Sequence, residues 1–548
     1  MFEYTSPVST LARRASIHPD KNYLRQPVNG HLIDYTWAMT YETSRKMAQF
    51  LTTLGLSKGE KVGILSKNCA EWFIVDWAIQ MAGLVSIPIY PTANQKTIAF
   101  VMEHSECKAV FVGKLDNWKT QEPALDPAIP RISLPYPTMA TQYQWQEVLN
   151  NHDPLEKPAD NQADDLMTIM YTSGSTGEPK GVMLTFGAYH YAAAANIAKL
   201  AMLDEERLLS YLPLAHITER AVIQGPSLYA GSTVYFVEGL ETFQRDIKKA
   251  APTSFLSVPR LWSKFQSNIH TKIAPAKLRL LLSIPFIGKL VSRKIRTELG
   301  LNHSKLFGSG TAPIATPLLR WYRRLGINIS EGWGMSETGG LSSVNYPFSL
   351  SAIGTVGTPL PGTHIKLSEQ GEILIKCPGL FSGYYKKDDL TAESYTEDGY
   401  FKTGDKGNFV GSEHNLKITG RVKDIFKTAK GKYVVPVPIE SQLSDNPLIE
   451  DVCVMGTGLP QPVAVVVLSE YAENMPKSDI RVSLETTLNK VNMYLEPHEI
   501  LKNIIVSQDD WSIENGLLTP TMKVKRNLVE EKYVDLIQKP IENQIHWA

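Results

Sequence analysis

The chain has 548 residues, too many for one ordinary hydrophobic core, so two or more domains are expected. Its apolar fraction of 43% and charged fraction of 20% are typical of a soluble globular protein. Basic and acidic residues balance, 56 against 56, so the net charge gives no indication of nucleic acid or of a membrane as a partner of the whole chain.

Four cysteines, Cys69, Cys107, Cys377 and Cys453, are scattered without the spacing of a zinc site or of a disulfide framework. This pattern fits a reducing compartment, and the N-terminus lacks the apolar segment of a secretory signal. We therefore expect a cytoplasmic protein. The most apolar run, WFIVDWAIQMAGLVSIPIY, contains Asp76, which favours a buried helix and a strand over a membrane span.

Predicted strands and helices alternate through the first part of the chain. Strands are predicted at KVGILSKN, LVSIPIYPT and KAVFVG, and helices between them at EWFIVDWAIQMAG and QKTIAFVMEHSE. Further strands follow at STVYFV, TSFLSVP and HSKLFGSG. This alternation predicts an α/β fold of layered parallel sheets and helices. Residues 116–165, rich in Pro, Asp and Gln, are interpreted as a surface excursion.

Short strands broken by Gly and Asp turns follow from about residue 350. HIKLS, GEILIK, YFKTGDKGNFV and NLKITG predict a β-rich subdomain over about 350–422. Beyond it, IEDVCVMG and PVAVVVLS, with helices around 481–494 and 526–538, predict a compact α+β domain. We therefore expect a large N-terminal domain over 1–422 and a small C-terminal domain over 423–548.

The stretch YTSGSTGEPKGVMLT, residues 171–185, has the composition of a phosphate-binding loop. Gly174, Gly177 and Gly181 allow the backbone to approach a ligand closely, and Lys180 supplies a positive charge. Pro179 stands where a P-loop requires glycine, and the dinucleotide-binding glycine pattern is also missing. Hydroxyl donors come from Thr172, Ser173, Ser175 and Thr176.

YTSGSTGEPKGV resembles the signature of the adenylate-forming superfamily, which comprises acyl-CoA synthetases, luciferases and peptide-synthetase adenylation domains. Six more motifs follow in the order of that superfamily: YLPLAHITER, GSGTAP, EGWGMSETGG, YFKTGD, GRVKDIFKTAKGKYVVPVPIE and LLTPTMKVKR. LPLAHITER, FKTAKGKYVVPVPIE and LTPTMKVKR resemble the long-chain fatty acyl-CoA synthetase branch in particular. The resemblance covers nearly the whole chain.

The resemblance implies a reaction in two halves. A fatty acid carboxylate attacks the α-phosphorus of ATP, giving an acyl-adenylate and pyrophosphate, and the thiol of coenzyme A then displaces AMP. Catalysis should depend mainly on positioning and electrostatic stabilisation. Lys523 would bridge the carboxylate and the α-phosphate, Glu337 would bind Mg²⁺, and His216 would lie beside the acyl carboxylate.

Nucleotide-binding roles are implied for a larger set of residues. The β- and γ-phosphates would be held by Lys180 and by Thr172, Ser173, Gly174, Ser175, Thr176 and Gly177; Ser336 would face the α-phosphate; Gly310, Thr311, Trp333 and Gly334 would lie at adenine; Asp405 and Arg421 would bind the ribose, Arg421 reaching as far as the α-phosphate; and Gly431 would lie near the pantetheine path.

Three of these roles have a physical reason. An ionised Asp405 accepts hydrogen bonds only, which suits two ribose hydroxyls. Arg421 offers a planar fork of donors. Trp333 is expected to stack on the purine rather than to fill the core, because Gly332 and Gly334 on either side would leave its face open.

Lys423, in GRVKD, is implied as the hinge of a mobile C-terminal domain. Its rotation would carry Lys523 out of the site and bring KTAKGKYV, with Gly431, in. Trp262 is a tentative gate of the acyl tunnel, with plain core packing as the alternative.

Residues 277–298 contain six basic residues and one acidic residue among Leu, Ile, Val and Phe. They are either a basic amphipathic surface that contacts anionic lipid or a helical segment packed on the core with exposed Lys and Arg. The oligomeric state and the acyl length are left open.

The leading hypothesis is a long-chain fatty acid–CoA ligase dependent on ATP and Mg²⁺. One alternative is a fatty acyl-AMP ligase that loads a carrier protein, although we expect no carrier domain in this chain. Another is a non-catalytic acyl or nucleotide binder, which the presence of Lys180, Glu337, Asp405, Arg421 and Lys523 argues against. A luciferase-type oxygenase shares the first half-reaction. No Asp stands where amino-acid-activating relatives bind an amine.

Overall fold

The computed structural model of the chain describes residues 2–136, 141–172, 179–472, 475–519, 522–538 and 543–548. The strands of the large N-terminal part are β1 (Asn22–Val28), β2 (His31–Thr36), β3 (Lys61–Ser66), β4 (Val85–Ile89), β5 (Cys107–Gly113), β6 (Arg131–Ser133), β7 (Tyr143–Gln144), β8 (Leu166–Thr172), β9 (Lys180–Thr185), β10 (Arg207–Ser210), β11 (Thr233–Phe236), β12 (Ser254–Ser257), β13 (Leu306–Ser309), β14 (Ile329–Met335), β15 (Gly340–Val344), β16 (Thr358–Pro359), β17 (His364–Leu367), β18 (Glu372–Lys376), β19 (Gly383–Tyr384), β20 (Phe401–Val410) and β21 (Asn415–Arg421). Those of the C-terminal part are β22 (Phe426–Lys427), β23 (Tyr433–Val434), β24 (Ile449–Met455), β25 (Val463–Leu468), β26 (Ile504–Val506) and β27 (Ile545–Trp547).

The α-helices are α1 (Pro7–Ile17), α2 (Trp37–Thr53), α3 (Ala70–Met81), α4 (Gln95–Ser105), α5 (Trp118–Gln121), α6 (Trp145–Asn151), α7 (Phe186–Leu200), α8 (Ile217–Glu219), α9 (Gly225–Ala230), α10 (Phe243–Ala250), α11 (Pro259–Lys272), α12 (Pro275–Ser283), α13 (Ile287–Glu298), α14 (Thr316–Arg324), α15 (Asp388–Glu393), α16 (Pro436–Leu443), α17 (Lys477–Asn492) and α18 (Arg526–Ile537). One turn of 3₁₀-helix covers Ser336–Thr338, and a π-helical turn covers Arg220–Gln224.

Three mixed sheets carry the predicted βα alternation, one of them with the order β10-β11-β1-β2 and the predicted strand at STVYFV. The largest has the order β19-β9-β8-β4-β3-β5-β6-β7 and is parallel from β8 to β7. The third has the order β12-β13-β14-β15-β16, with β12 to β14 parallel. The predicted α/β class is therefore confirmed. Residues 116–165 are more than a surface excursion, because β6 and β7 extend the largest sheet.

Helix α3 and strand β4 account for the most apolar run of the sequence. Every residue of α3 is buried, and so is every residue of β4. Parallel strands covered on both faces read as continuous apolar runs, which explains the length of this stretch. Among the described residues, no helix has both the length and the apolarity needed to cross a bilayer.

A buried ion pair connects the helical layer to the largest sheet. Arg220 donates to Asp76 at 2.9 Å, and both side chains are fully buried. Arg220 also donates to the hydroxyl of Thr168, and Gln224 donates to the same carboxylate oxygen of Asp76. Because an unpaired charge is costly at such a site, these contacts hold the residues that follow His216 in one place.

The β-rich subdomain predicted over about 350–422 forms an antiparallel sheet with the order β17-β18-β20-β21. Beyond it lies a sheet with the order β24-β25-β26-β27, one face of which packs on α16 and α17 and the other on α18. Arg526, the first residue of α18, pairs with Glu440 of α16 at 2.7 Å. This contact anchors the segment that contains Lys523.

Candidate active site

The two ends of the phosphate-loop motif lie in strands β8 and β9, which pair antiparallel. Thr172 and Lys180 face each other in this pairing. Ser173, Gly174, Ser175, Thr176 and Gly177 lie outside the described residues. Strand β19 pairs with β9 on its other side, which sets Tyr384 opposite Val182. The ammonium of Lys180 lies over the ring of Tyr384, 5.2 Å from its centroid.

Glu337 lies in the 3₁₀ turn between β14 and β15, buried next to Lys180. The hydroxyl of Tyr384 donates to Glu337 Oε1 at 2.9 Å. Burial raises the pKa of the Glu337 carboxyl, while its own backbone N–H, Tyr384, Arg421 and Lys180 oppose that shift. Burial also lowers the pKa of Lys180, and Lys423 lowers it further.

Asp405 is the second buried carboxylate of the site. It lies in β20 directly opposite Arg421 of β21, whose Nε is 3.0 Å from Asp405 Oδ1. The indole Nε1 of Trp333 donates to Asp405 Oδ2 at 2.8 Å. Each carboxylate oxygen has a second acceptor site, so the predicted contact with ribose hydroxyls is compatible with both bonds.

The glycines on either side of Trp333 have a packing role that the sequence did not show. A Cβ on Gly332 would come within 2.6 Å of Leu341, and one on Gly334 within 1.7 Å of the Gly340 carbonyl oxygen. These glycines therefore admit strand β15. Trp333 itself is buried in a hydrophobic cluster. The contact that the structure supports is its hydrogen bond to Asp405; stacking stays a prediction.

Lys523 reaches this site from the C-terminal part of the chain. Its backbone is bonded to Thr519: the N–H of Thr519 donates to the Lys523 carbonyl at 2.8 Å, and the N–H of Lys523 donates to the Thr519 hydroxyl at 3.0 Å. Burial lowers the pKa of Lys523 to about 8, and Arg421 contributes to that shift, while Asp405 and Glu337 oppose it. Lys523 thus lies among the groups that the N-terminal motifs bring together, whereas Arg526 is bonded inside its own domain.

His216 is held by the loop between β10 and α8. The side chain of Asn68 donates to the carbonyl of Leu212 at 2.7 Å and accepts from the backbone N–H of Leu214 at 3.2 Å. Glu219 accepts from the backbone N–H of Tyr211 at 3.1 Å. These bonds fix the loop from both ends, so the position of His216 depends on residues far from it in the chain.

The protonation state of His216 follows from its surroundings. Burial lowers its pKa to about 3, and Lys523 contributes to that shift. The imidazole is therefore neutral at physiological pH. Its Nδ1 accepts from the backbone N–H of Thr218 at 3.2 Å, so the ring proton is on Nε2. His216 can donate one hydrogen bond to a ligand, but it is too weakly basic to act as a general base.

The turn after β13 has features of a binding site. Thr311 has a φ of +70°, which is strained for a β-branched residue and typical of functional sites. The buried hydroxyls of Ser309 and Thr311 have no hydrogen-bond partner among the described residues. A Cβ on Gly310 would lie 3.2 Å from the carbonyl oxygen of Gly332, so this turn packs closely on β14.

Three further predicted residues lie in turns: Ser336, Lys423 and Gly431. Ser336 is buried in the same 3₁₀ turn as Glu337, and Lys423 lies in the exposed turn after β21, near enough to Lys180 to affect its pKa. Gly431 is exposed in the hairpin between β22 and β23, with a φ of +73°, and no contact with the cluster described above is seen.

Trp262 does not fit the role of a tunnel gate. It is fully buried, and its Nε1 donates to the carbonyl of Gly308 at 3.2 Å. The hydroxyl of Tyr322 donates to the backbone carbonyl of Trp262 at 2.5 Å. A side chain with no exposed surface and a fixed hydrogen bond is part of the core. The alternative of core packing is therefore the better interpretation, and Trp262 supports strand β13, which ends just before Gly310.

Sequence reasoning missed Tyr384 and Asn68. Tyr384 follows a glycine in FSGYYKK, which carries no signal that separates a ligand-site tyrosine from a core one. Asn68 stands in the turn after β3, 142 residues from the Ser210 hydroxyl to which it donates. Both act through contacts that appear only when distant strands meet.

The residues present fit a magnesium ion only in company with phosphates. No cluster of three or more His, Cys, Asp or Glu side chains suited to a metal occurs in the part of the chain that the structure describes. Glu337 is a single carboxylate, and its bond with Tyr384 leaves acceptor sites open. Mg²⁺ is commonly bound by one or two carboxylates together with substrate phosphates, so Glu337 suits that arrangement.

Comparisons with known families match both parts of the chain. The family described as AMP-binding enzyme matches residues 11–385, and the one described as AMP-binding enzyme C-terminal domain matches residues 423–544. The long-chain-fatty-acid–CoA ligase FadD15 of Mycobacterium bovis is 30% identical over 95% of this chain and 94% of its own length. Fatty acyl-CoA synthetase A of Dictyostelium discoideum is 32% identical over 92% of this chain and 86% of its own.

Solved structures support the same fold. The adenylation domain of a carboxylate reductase from Mycobacterium chelonae superposes with a TM-score of 0.81 at 21% identity, covering 98% of this chain and 91% of that one. ATP-bound MatB from Rhodopseudomonas palustris gives a TM-score of 0.75 at 22% identity, covering 97% and 100%. At these identities the likeness establishes the fold.

The docked position of Lys523 can be tested by the pKa of its ammonium. We expect that group, followed by NMR of ¹³C-methylated lysines and assigned with a Lys523→Arg variant, to titrate near pH 8. Arg421→Gln should raise this pKa by removing a repulsive charge, and Asp405→Asn should lower it by removing an attractive one. If neither substitution moves the titration, Lys523 does not lie in this site.

Proposed function

The chain belongs to the family of AMP-binding enzymes, in the branch of long-chain fatty acyl-CoA synthetases, and we propose that it converts a long-chain fatty acid, ATP and coenzyme A to the acyl-CoA. It is an AMP-forming ligase, and long-chain acids are the proposed substrate class. One observation supports the proposal most directly: Lys523 lies near enough to Arg421, Asp405, Glu337 and His216 for the charges of these groups to affect one another's pKa.

In the first half-reaction the acid's carboxylate oxygen attacks the α-phosphorus and the bond to pyrophosphate breaks. Negative charge gathers on the phosphate oxygens and on the carboxylate that approaches them. Lys523 neutralises the repulsion between the two reactants. Arg421, which is paired with Asp405, binds the ribose or the α-phosphate, and Lys180 binds the leaving phosphates. Fixed cations in a desolvated site stabilise such a transition state strongly.

Magnesium belongs to this proposal through Glu337. When bound, the ion neutralises charge on the phosphates of ATP. Tyr384 and the backbone N–H of Glu337 keep the carboxylate oriented. Ser336 lies beside Glu337 and is proposed to face the α-phosphate, and Gly310, Thr311 and Gly334 line the proposed adenine site.

His216 acts as a hydrogen-bond donor in the proposed mechanism. Its Nε2–H is directed by the bond that Nδ1 accepts from Thr218. It can orient the acid's carboxylate before attack and polarise the acyl carbonyl of the adenylate afterwards. In the second half-reaction the thiol of coenzyme A attacks that carbonyl carbon, and AMP leaves with the electrons of the acyl–oxygen bond.

The second half-reaction needs Lys523 to leave. We propose residues 1–422 and 423–548 as the two domains, with Lys423 as the hinge between them and Gly431 near the pantetheine after rotation. The exposed position of Gly431 in the present arrangement supports a state poised for adenylation. We also propose that the enzyme is cytoplasmic and that residues 277–298 contact a membrane surface. The alternative acceptor of the acyl group is a carrier protein.

The acceptor and the acyl length can be established by one coupled assay. Purified enzyme with ATP and Mg²⁺ is given saturated acids of increasing length, with and without coenzyme A, and both pyrophosphate and acyl-CoA are measured. We expect acyl-CoA in equal amount to pyrophosphate for long acids. Pyrophosphate release with no acyl-CoA would contradict the proposal and favour the carrier-loading alternative.

Lys523→Ala should separate the two half-reactions. We expect adenylation to fall about 10²- to 10³-fold, the usual loss on removing one electrostatic contact to a transition state. Conversion of synthetic acyl-AMP and coenzyme A to the thioester should continue at the wild-type rate. Lys525→Ala is the matched control and should leave both rates unchanged. An equal loss of both half-reactions in Lys523→Ala would contradict the domain rotation.

An ion-pair cluster joins the two domains away from the site. Arg260 of α11 donates to Glu450 at 2.7 Å through Nε, and its Nη1 is 3.7 Å from Asp451. A second pair, between Lys264 and Glu470, is longer, at 3.9 Å, and both of its side chains are exposed. The Arg260 contacts are therefore expected to favour the adenylation arrangement over the rotated one.

Arg260→Ala should slow adenylation about two- to fivefold, the effect expected of a partly exposed ion pair. The conversion of supplied acyl-AMP to thioester should not slow, because it uses the rotated arrangement. Lys264→Ala is the control: it removes a longer, exposed ion pair from the same helix and should slow adenylation less than Arg260→Ala. Equal slowing of both half-reactions by Arg260→Ala would mean that this contact does not bias the rotation.

A further inference from the structure

Helices α12 and α13 form a hairpin that is attached to the large domain by one face. Leu278 and Ile295 are buried in the hydrophobic cluster that contains Trp262, and Leu282 and Val291 pack against it. Since Trp262 bonds to the strand that leads to the proposed adenine turn, the hairpin is anchored close to the site. Its other face has no such cover among the described residues.

The tip of the hairpin is an exposed apolar patch. Phe286 is 79% exposed, a large value for an aromatic side chain. Scattered exposed apolar residues are normal, but a contiguous group indicates an interaction site. Leu290 follows Phe286 by one helical turn, with its N–H donating to the Phe286 carbonyl at 3.0 Å. The group consists of Leu280 (63% exposed), Ile284 (38%), Phe286 (79%), Ile287 (42%) and Leu290 (67%).

The backbone holds this tip in a defined shape. Gly288 N–H donates to the carbonyl of Ile284 at 2.8 Å, and a Cβ on Gly288 would come within 2.8 Å of the Leu282 carbonyl oxygen. Phe286 has a φ of +65°, which is costly for a residue other than glycine. Burial within the chain does not offset that cost, because the ring points into solvent.

Positive charge surrounds the apolar tip. Lys277 and Arg279 on α12 and Lys289 and Arg293 on α13 are exposed, and none of them forms an ion pair among the residues that the structure describes. Residues 274–297 contain no acidic side chain. The one carboxylate near the end of α13, Glu298, is paired with Lys248 at 2.8 Å. The rim of the patch therefore attracts an anionic surface.

We infer that the tip of the α12–α13 hairpin inserts into the interface of an anionic lipid bilayer. An apolar patch with a cationic rim matches such an interface in both chemistry and charge. Each Lys or Arg near an anionic membrane contributes about fivefold to binding. The inference rests on the proposed function and deepens it, since long-chain acids dissolve in membranes. It can be tested separately, because vesicle binding is measured without turnover.

The test is flotation of the full-length protein with vesicles, at low and high salt. Vesicles of phosphatidylcholine alone are compared with vesicles of phosphatidylcholine and phosphatidylglycerol in equal parts. We expect binding to the anionic vesicles, weakened by salt because counterions screen the rim. Binding to neither at low salt, or equal binding to both without salt dependence, would overturn the inference.

Two pairs of substitutions separate the apolar and charged contributions. Phe286→Ser with Leu290→Ser should reduce anionic-vesicle binding by at least about tenfold, because two large side chains no longer leave water. Lys289→Gln with Arg293→Gln should reduce it by about 25-fold and flatten its salt dependence. The matched controls are Leu240→Ser, an exposed apolar side chain elsewhere, and Lys108→Gln with Lys119→Gln; neither should change binding.

Further measurements keep the outcomes distinct. The Phe286→Ser/Leu290→Ser protein should activate a soluble medium-chain acid at the wild-type rate, which shows that it is folded. Vesicle binding without any acyl-CoA formation would leave this inference standing and contradict the proposed function. A shift from dimer to monomer in that variant, without loss of vesicle binding, would show that the patch joins two copies of the chain, and the inference would be wrong.

Discussion

The constraint on which the rest of the structure depends is a local excess of positive charge in a partly buried site. Lys180, Arg421 and Lys523 surround the carboxylates of Glu337 and Asp405, and Lys423 lies near Lys180. Burial lowers the pKa of both Lys180 and Lys523, and a nearby cation lowers each further, Lys423 in the case of Lys180 and Arg421 in the case of Lys523. Under the proposed function, the phosphates of ATP would relieve this excess of positive charge.

Both buried carboxylates of the site, and the loop that carries His216, are held by neighbouring side chains. Tyr384 holds Glu337, Trp333 holds Asp405, and Asn68 holds the loop that ends at His216. These bonds remove rotational freedom before a substrate binds, which is how positioning contributes to rate. The buried Arg220–Asp76 pair fixes the helical turn that follows His216 against α3, and the bond of Arg220 to Thr168 extends this order to the largest sheet.

Much of the fold was predictable because its signals are local. The alternation of apolar strands and helices gave the α/β class, and the Gly- and Asp-broken strands gave the antiparallel subdomain. The short strands β6 and β7 were missed, since their few residues carry no period and gain stability only at the edge of an existing sheet. The choice between a gate and core packing for Trp262, and the packing of the glycines beside Trp333 on β15, needed the structure, because a motif does not show what fills the space next to it.

The sequence by itself determined the chemistry of the site. Glycines, hydroxyls and a lysine in fixed order, with Glu337, Asp405, Arg421 and Lys523 downstream, are the groups that the proposed contacts with phosphate and ribose would use. Only the tertiary structure decided which groups orient them and which face is left uncovered. Trp333 meets Asp405 across 72 residues and Tyr384 meets Glu337 across 47, and the apolar tip of α12–α13 is exposed because its inner face alone meets the core. Hydrogen bonds and burial between distant segments depend on strand register and helix packing, which no local pattern encodes.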